Sequence, residues 1–357
     1  MISKLRSLFN KTFDAIIPLF ATLLALFLGV FMLKALGKDP LAAYAALFEG
    51  AFGSQRAIIQ TIIKATPLLL VGIGVCIAFR GGVINIGGEG QIIVGALASA
   101  AFALYVPIQS RWIMIPLCLL TSMLAGAIWG GVPGILKAKL GVNEILTTVM
   151  MNSIAVYLSN FLLRGPMIDP HEIEMGTRAA QTALLPEYTF LTRLAPPTQL
   201  NTGTILALIL AGVAFVMLFK TTIGYRIRAV GKSADASRYA GIKVPFYQAL
   251  ALILGGSMAG LAGGIEVLGV QHRVMENISA NYGFNGIVTA LFGSLHPLGT
   301  IPAAFLFGGL MVGGNKLQRT VQVHSAFIDT LLGIIVLFVV AAKIFSTRRS
   351  KKRAING

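Results

Sequence analysis

Long apolar runs, separated by short polar gaps, fill most of the chain between residues 15 and 342. An α-helix needs about 20 apolar residues to cross the hydrocarbon core of a bilayer. The runs therefore predict an all-α polytopic membrane protein with about ten transmembrane helices, including glycine-rich broken or half helices. The predicted spans are residues 15–33, 58–79, 92–106, 113–136, 145–163, 204–219, 246–270, 284–295, 301–312 and 327–342.

A polar, glycine-rich segment interrupts this pattern at residues 80–91, with the sequence RGGVINIGGEGQ. Five of its residues are glycine, and it also contains Asn85, Glu89 and Gln91. In lipid, irregular backbone is stable only where it is buried in protein or lines a polar cavity, because each free N–H or C=O group costs several kcal/mol. The segment is therefore either a solvated turn between two spans or part of a passage for a polar solute. The second interpretation makes the three polar side chains candidate path residues.

Two apolar runs near the end of the chain, residues 284–295 and 301–312, are short for full spans. They flank the sequence HPLG at residues 296–299. This pattern predicts half-helices, or short spans surrounded by protein, of the kind that transporters use near their binding sites. Asn285, at the start of the first run, is therefore a further candidate path residue.

Glu266 lies within the apolar run 246–270, near its predicted outer end. An acidic residue within a span is a functional-site hypothesis by default, although a side chain near a helix end can also reach the membrane surface. Both interpretations stay open for Glu266. An apolar helix followed by a glycine-rich polar interruption and further helices occurs at residues 65–106 and again at 246–312, which indicates two related halves.

Local signals predict three further features. Asn143 is suited to cap the helix that follows it, with Glu144 in the first turn, and capping explains this pair better than a functional role. Glycines that recur at close spacing in the run 113–136 predict tight helix packing. Residues 233–240 are predicted to form a short helix that ends at Gly241.

The chain has 357 residues and a net charge of +16, with a mean hydropathy of +0.80. Its basic residues lie mainly in the gaps between apolar runs, which is how membrane proteins mark their cytoplasmic side, so no nucleic-acid partner is predicted. The loop at 220–245 has six basic residues and one Asp, and the tail at 346–357 is also basic. We therefore expect both termini in the cytoplasm and an outer loop at 164–200. The whole chain, 1–357, is expected to form one integral membrane domain.

The sequence contains no recognisable catalytic or metal-binding pattern. Cys76 and Cys118 lie within apolar runs, and the four His are scattered. The sequence GKS at residues 231–233 resembles the end of a phosphate-binding loop, but that motif requires glycine where the chain has Arg226. We therefore expect no catalytic residues, no metal site and no ATP hydrolysis by this chain itself. A membrane enzyme would need a convergent nucleophile or acid–base pair, which the sequence does not offer.

Several motifs together resemble the membrane permease subunits of ABC importers. The resemblance extends over roughly residues 60–340 and is strongest to the nucleoside group, within a wider set that handles simple sugars and branched-chain amino acids. The motifs are RGGVINIGGEGQ at 80–91, GVNEI at 141–145, RAVG at 228–231, RYAGI at 238–242, AGGIEVLG at 262–269, YGFNGI at 282–287 and HPLG at 296–299.

This resemblance implies a transport subunit of a bacterial cytoplasmic (inner) membrane importer rather than an enzyme. It implies a second, related permease in a heterodimer, an ATPase with two nucleotide-binding units, and an extracytoplasmic substrate-binding protein, all working in membrane lipid. ATP and Mg would be used by the ATPase, and no cofactor by this chain. The loop at 220–245 would dock into the ATPase, and its candidate coupling residues are Arg226, Arg228, Arg238, Tyr239, Ala240 and Gly241.

The solute and the energy source have alternatives. A nucleoside is polar and neutral, which suits a path with Asn85, Gln91 and few fixed charges, but a permease for a simple sugar such as ribose would share these features. An ion-coupled secondary transporter would need acidic or His relays within its spans, for which only Glu89 and Glu266 are candidates. Such a transporter would also leave the basic loop at 220–245 unexplained, and the resemblance of this loop to a coupling segment argues against a passive channel.

Overall fold

The computed structural model describes residues 23–322 and, beyond them, residues 327, 330, 331, 333, 334, 337 and 338. Within these residues the fold is helical, and strand pairing is limited to isolated bridges. The helices are α1 (Leu23–Ala35), α2 (Pro40–Phe52), α3 (Gln55–Arg80), α4 (Gly88–Tyr105), α5 (Arg111–Leu140), α6 (Glu144–Arg164), α7 (Pro170–Glu174), α8 (Thr202–Lys220), α9 (Thr222–Lys232), α10 (Ala234–Tyr239), α11 (Val244–Glu266), α12 (Tyr282–Phe292) and α13 (Thr300–Val321). A π-helix (Val267–Gln271) continues α11, and Glu187–Thr189 form a 3-10 turn.

The chain divides into two compact units. Residues 59–308 form one unit, and residues 1–58 with 309–357 form the other. In the larger unit, α11 packs along α5 and α4. Glycines make this approach possible, since a Cβ on Gly126 would lie 2.6 Å from the Cα of Gly260, and a Cβ on Gly130 would lie 2.6 Å from the carbonyl oxygen of Leu252. The tight packing predicted for residues 113–136 is confirmed.

Six described helices are long and apolar enough to cross a membrane: α3, α4, α5, α6, α8, and α11 with its π-helical extension. Most of α4 and α11 is buried, whereas α5, α6 and α8 expose apolar side chains. Helices with an apolar exposed surface are stable in lipid, where every backbone group is satisfied within the helix. The chain is therefore a multi-pass membrane protein, and these helices correspond to six of the predicted spans.

The remaining predicted spans have different outcomes. Of the predicted span 15–33, the structure describes only the part from Leu23, which lies in α1. Most of the predicted span 327–342 lies outside the described residues. The run 284–295 is confirmed as a short helix, because α12 has 11 residues. The prediction of a second short helix at 301–312 is wrong, since α13 has 22 residues. In the smaller unit Lys316 of α13 pairs with Glu49 of α2 at 2.6 Å, so the helix continues through a charged position.

Helix α2 was not predicted, and it lies between the predicted spans 15–33 and 58–79. Its start has local signals: the Asp39 carboxylate accepts a hydrogen bond from the Leu41 amide at 2.9 Å, and Pro40 occupies the first turn. Two predicted local features are confirmed. Asn143 caps α6 through the Ile145 amide at 2.9 Å, and α10 ends before Gly241, whose φ is +76°.

The segment 164–200 folds back onto the end of α11. Its amides donate hydrogen bonds to carbonyls of residues 268–274, including Leu191 to Leu268 at 3.0 Å and Leu185 to His272 at 2.9 Å. After α6 ends, the only helical parts that the structure describes in this segment are α7 and the 3-10 turn. Backbone hydrogen bonding of this kind fixes the loop in place over the π-helix.

Candidate functional site

The glycine-rich segment forms a buried break between α3 and α4. Residues 81–87 lie outside both helices, and Gly82 has a φ of +74°. Asn85, in the middle of the break, is only 2% exposed. The interpretation as a solvated turn is therefore wrong, because the centre of the segment is enclosed by protein.

Asn85 and Gln91 satisfy each other and the broken backbone. The Asn85 Nδ2 donates to Gln91 Oε1 at 3.1 Å, and Gln91 Nε2 donates to Asn85 Oδ1 at 3.2 Å. Asn85 Oδ1 also accepts the Gly87 amide at 2.9 Å. Amide groups can both donate and accept, so this buried pair is able to exchange its mutual hydrogen bonds for bonds to a polar neutral ligand.

Helix α6 supplies the remaining partners of the break. Asn152 Oδ1 accepts the Gly90 amide at 2.9 Å, while its Nδ2 donates to the Ile86 carbonyl at 2.9 Å. Thr148 Oγ1 accepts the Ile86 amide at 3.4 Å. The sequence reasoning missed both side chains. Their signal is a buried stripe of polar and small residues, spaced three and four apart along α6: Thr148, Asn152, Ala155 and Ser159.

Glu89 joins the break to the short helix α12. Its Oε1 accepts the amides of Gly283 at 3.1 Å and Phe284 at 3.4 Å, in the first turn of α12. A carboxylate at this position is favourable because the first-turn amides have no partner within the helix and carry a partial positive charge. Glycine is required at Gly283, since a Cβ there would overlap the backbone of Glu89.

The first turn of α12 is held from a second side by a charged cluster. Lys64 of α3 donates from Nζ to the Tyr282 hydroxyl at 2.6 Å. Glu266, the last residue of α11, is 3% exposed, interacts with the charge of Lys64 and accepts a hydrogen bond from Gln271 Nε2 at 3.2 Å. Glu266 is therefore enclosed by protein and not exposed at the surface of the fold. It lies directly before the π-helix, a distortion that occurs frequently at functional sites.

Asn285 stands apart from these two groups. It is half-buried in α12, and its carbonyl accepts a hydrogen bond from Thr289 Oγ1 at 2.8 Å. Its side-chain amide forms no hydrogen bond with another described residue. Of the five predicted path residues, the structure thus joins Asn85 with Gln91, attaches Glu89 to α12, places Glu266 beside Lys64, and leaves Asn285 alone.

The predicted coupling residues divide into two sets. Arg238, Tyr239, Ala240 and Gly241 are exposed, and Tyr239 is 95% exposed. Arg226 and Arg228 instead contact their own chain. Arg226 donates to the Tyr247 hydroxyl at 2.8 Å, and Arg228 Nε donates to the Leu218 carbonyl at 2.8 Å. The exposed set is free to contact a partner, whereas the two arginines of α9 fix the position of that helix.

A cation–aromatic cluster surrounds Phe219, at the end of α8. The guanidinium groups of Arg80 and Arg228 lie 4.9 Å and 5.0 Å from its ring centroid. The His296 ring stacks on it at 5.1 Å, and Arg80 Nε donates to the Leu295 carbonyl at 2.6 Å. Burial and then the charge of Arg80 lower the pKa of His296. The cluster connects α3, α9 and the connection between α12 and α13.

A family model described as "Branched-chain amino acid transport system / permease component" matches residues 57–340. The chain belongs to this family of permeases. The match covers the break, the α9–α10 segment and α12, and it identifies the chain as a membrane transport component of an ABC system rather than an enzyme.

The permease is similar over nearly its whole length to several relatives. It is 34% identical to the guanosine ABC transporter permease protein NupP of Bacillus subtilis, over 96% of this chain and 98% of that protein. It is 33% identical to the nucleoside ABC transporter permease protein NupB of Lactococcus lactis, over 97% and 96%. A glucose ABC transporter permease protein, TsgB13 of Haloferax volcanii, is 32% identical over 93% and 88%. The first two organisms each have a second, more distant ABC permease that matches this chain at 26% identity.

Outside the membrane-spanning helices, His272 follows the π-helix. Its ring stacks on Phe190 of the outer segment, with centroids 3.8 Å apart. Burial and then the charge of Arg193 lower the pKa of His272. Among the described residues, no three His, Cys, Asp or Glu lie close enough to hold a metal ion.

Proposed function

We propose that this permease forms the membrane path for a nucleoside in an ATP-driven importer. The observation that supports the solute most strongly is the near full-length similarity to the guanosine and nucleoside permeases NupP and NupB. The buried amide pair Asn85–Gln91 agrees with a solute that is polar but uncharged. A nucleoside offers hydroxyl and base groups that both donate and accept, as an amide pair requires.

The proposed path runs past Asn85, Glu89, Gln91, Glu266 and Asn285. The Asn85–Gln91 pair would open to hydrogen-bond the solute, and the side chain of Asn285 is available without breaking any contact. The opposite charges of Lys64 and Glu266 offset each other, so this part of the path does not favour an ion of either sign. Glu89 keeps the start of α12 in place while the neighbouring groups exchange partners.

The exposed residues Arg238, Tyr239, Ala240 and Gly241 are proposed to dock into the partner ATPase, with Arg226 and Arg228 fixing α9 behind them. ATP and Mg would act only in that partner. Closure of the two nucleotide-binding units would displace α10, and α9 would pass the movement to the break through its contact with Arg80. The helices would then rock, so that the path opens first to the outside and then to the cytoplasm.

The proposed assembly contains a second, related permease, an ATPase with two nucleotide-binding units, and an extracytoplasmic binding protein that delivers the solute to the 164–200 side. The paired permeases of Bacillus subtilis and Lactococcus lactis favour a heterodimer. We further propose one integral membrane domain of ten spans in two related halves, with both termini in the cytoplasm and the chain in a bacterial inner membrane. The net charge of +16 then serves membrane orientation and lipid contact, not nucleic-acid binding.

A sugar is the second candidate solute, because the glucose permease TsgB13 is nearly as similar as the nucleoside relatives. Uptake of radiolabelled guanosine, uridine, ribose, glucose and leucine by cells lacking this chain separates the two. We expect loss of nucleoside uptake alone, with the same loss when the ATPase is deleted. Loss of ribose or glucose uptake instead would keep the importer and change the solute. Uptake that survives deletion of the ATPase and collapses with the ion gradient would contradict an ATP-driven mechanism.

A further inference from the structure

A cavity of about 620 Å³ opens between α9 and the turn that leads from α10 into α11. Tyr225 and Arg226 line it from α9, and Lys243, Phe246 and Tyr247 line it from the start of α11. Its described lining includes no residue from within α10 itself. The turn after α10 supplies Ala240, Gly241 and Ile242, so the cavity adjoins the exposed residues that are proposed to meet the ATPase. Its volume lies in the range of sites that bind small molecules.

The cavity is positively charged. Arg226 and Lys243 are its charged lining residues, and its described lining includes no acidic residue. The Tyr247 hydroxyl accepts a hydrogen bond from Arg226 at 2.8 Å, and the guanidinium lies 5.9 Å from the Tyr247 ring centroid, so Arg226 is held in place. The Lys243 ammonium has no hydrogen bond or ion pair with another described residue. Two uncompensated cations on one wall favour an anionic ligand.

The start of α11 adds to this charge. Lys243 is the residue before the first turn, and its side chain does not cap the helix. The free amides and the dipole of a 23-residue helix give its N-terminus a partial positive charge, for which phosphate is a favourable partner. The planar guanidinium of Arg226 is likewise suited to phosphate oxygens.

The rim of the cavity is apolar and aromatic. Tyr225 of α9 is 63% exposed and Phe246 of α11 is 56% exposed. Ile223, which does not line the cavity, is a further exposed apolar side chain on α9. α9 buries Gly224, Ile227 and Val230, and its basic residues occupy other positions around the helix. This division is typical of amphipathic helices at membrane surfaces. Phe246 belongs to the first turn of a membrane-crossing helix, so aromatic side chains and cations occur together where a span begins. A ligand that satisfies both features has a phosphate and an apolar tail.

We propose that this cavity binds the phosphate headgroup of an anionic phospholipid of the phosphatidylglycerol type, with an acyl chain along Phe246. This inference rests on the proposed function in one respect, namely that the segment carrying α9 and α10 lies on the cytoplasmic side of the membrane, next to the inner leaflet. The lipid links α9 to the foot of α11 and stiffens the segment through which α10 acts on the break. Net negative charge distinguishes this lipid from zwitterionic ones, and basic residues near an anionic membrane surface favour it.

The test uses the full-length permease, purified alone and titrated with phosphatidylglycerol or phosphatidylcholine of identical acyl chains, with bound lipid counted by native mass spectrometry. We expect about a tenfold preference for phosphatidylglycerol. The double variant R226Q/K243Q should lose this preference. The matched control K220Q/K232Q removes the same charge from neighbouring positions that do not line the cavity and should keep it.

A third variant covers the case in which the double variant does not fold. Y247F keeps both cations but removes the hydroxyl that holds Arg226, and it should lower the preference about threefold. Equal loss in R226Q/K243Q and K220Q/K232Q would mean a diffuse charge effect and overturn the proposal, as would no preference in the unaltered chain. Displacement of the lipid by inorganic phosphate at equal concentration would also overturn it, because the cavity would then be a small-anion site.

The partner ATPase is the competing occupant. If R226Q/K243Q abolishes binding of the purified ATPase while lipid preference is unchanged, the cavity belongs to the protein interface and the proposal is wrong. Lipid binding is measured without ATP, solute or partner chains. A permease that shows no lipid preference could therefore still take up nucleosides, and a permease that fails in nucleoside uptake could still show the lipid preference.

Discussion

Gly231, at the end of α9, lies directly against the Arg80 carbonyl at the end of α3. A Cβ on Gly231 would overlap the Arg80 carbonyl oxygen and would lie 2.8 Å from the Gly82 amide nitrogen. Both obstacles are backbone atoms, so no side-chain rotation can relieve them. At this point α9 and the glycine-rich break touch through backbone, in addition to the contacts that Arg80 and Arg228 share on the Phe219 ring, so a displacement of α9 should act on the break.

Replacing Gly231 with Ala should separate α9 from the break and reduce solute uptake about tenfold, which corresponds to about 1.4 kcal/mol in the barrier of the coupled step. ATP hydrolysis by the assembled complex should continue, because the exposed residues of α10 are unchanged. Gly212→Ala is the matched control, since a Cβ there meets nothing within 4 Å and the residue also lies in a helix. Uptake and ATPase activity measured on the same proteoliposomes decide the matter. Normal uptake by the Gly231 variant would show that the contact is not used.

Features set by neighbours in sequence were predictable. Asn143 caps α6 because a cap needs only the next two or three amides, and the turn at Gly241 follows from a local preference for positive φ. Features set by distant partners were not. The break is held by Asn152, some 60 residues away in the chain, and α13 continues past residue 312 through Lys316, whose ion-pair partner Glu49 lies in α2.

Replacing Glu89 with Ala should lower the thermal stability of the purified permease, because the buried amides of Gly283 and Phe284 lose their acceptor. An unsatisfied buried donor costs about 1–3 kcal/mol. Glu89→Gln keeps an acceptor oxygen at the same position and should recover most of the loss. Unfolding in detergent, followed by intrinsic fluorescence, measures both variants. Equal stability of the two variants would mean that the helix-capping contact contributes little.

Replacing Asn152 with Leu should destabilise the break by a similar amount, since the Gly90 amide and the Ile86 carbonyl lose their partners together. Asn160 lies further along the same helix and forms no hydrogen bond with another described residue through its side chain. Asn160→Leu is therefore the matched control and should change stability little. Limited proteolysis within residues 81–87 reports opening of the break. If residues 81–87 are equally protected from proteolysis in the Asn152 variant and in the control, Asn152 does not hold the break closed.

Gly241→Asp should abolish uptake while the complex still reaches the membrane, because a bulky charge on the exposed turn would block the proposed docking of the ATPase. Backbone strain alone could have the same effect, since Gly241 has a φ of +76°. Gly141→Asp controls for strain, because Gly141 has a φ of +67° and, like Gly241, has open space where a Cβ would lie. Co-purification of the ATPase with each variant gives the readout. If both variants lose the ATPase equally, strain and not docking explains the result.

His296 should make the permease less stable in mild acid. Burial, and then the charge of Arg80, lower the pKa of His296 below its ordinary value of 6.5. The two pKa values are the ordinary one in the unfolded chain and the lowered one in the folded chain. Between them the unfolded chain binds a proton that the folded chain does not, so folding stability falls as the pH drops below about 6.5. His296→Phe keeps an aromatic ring beside Phe219 and cannot be protonated, so its midpoint of thermal unfolding should fall less between pH values of about 8 and about 5. His272, whose pKa burial also lowers, should account for part of the acid sensitivity that remains. Parallel pH profiles for the variant and the unaltered permease would exclude His296 as a source of that sensitivity.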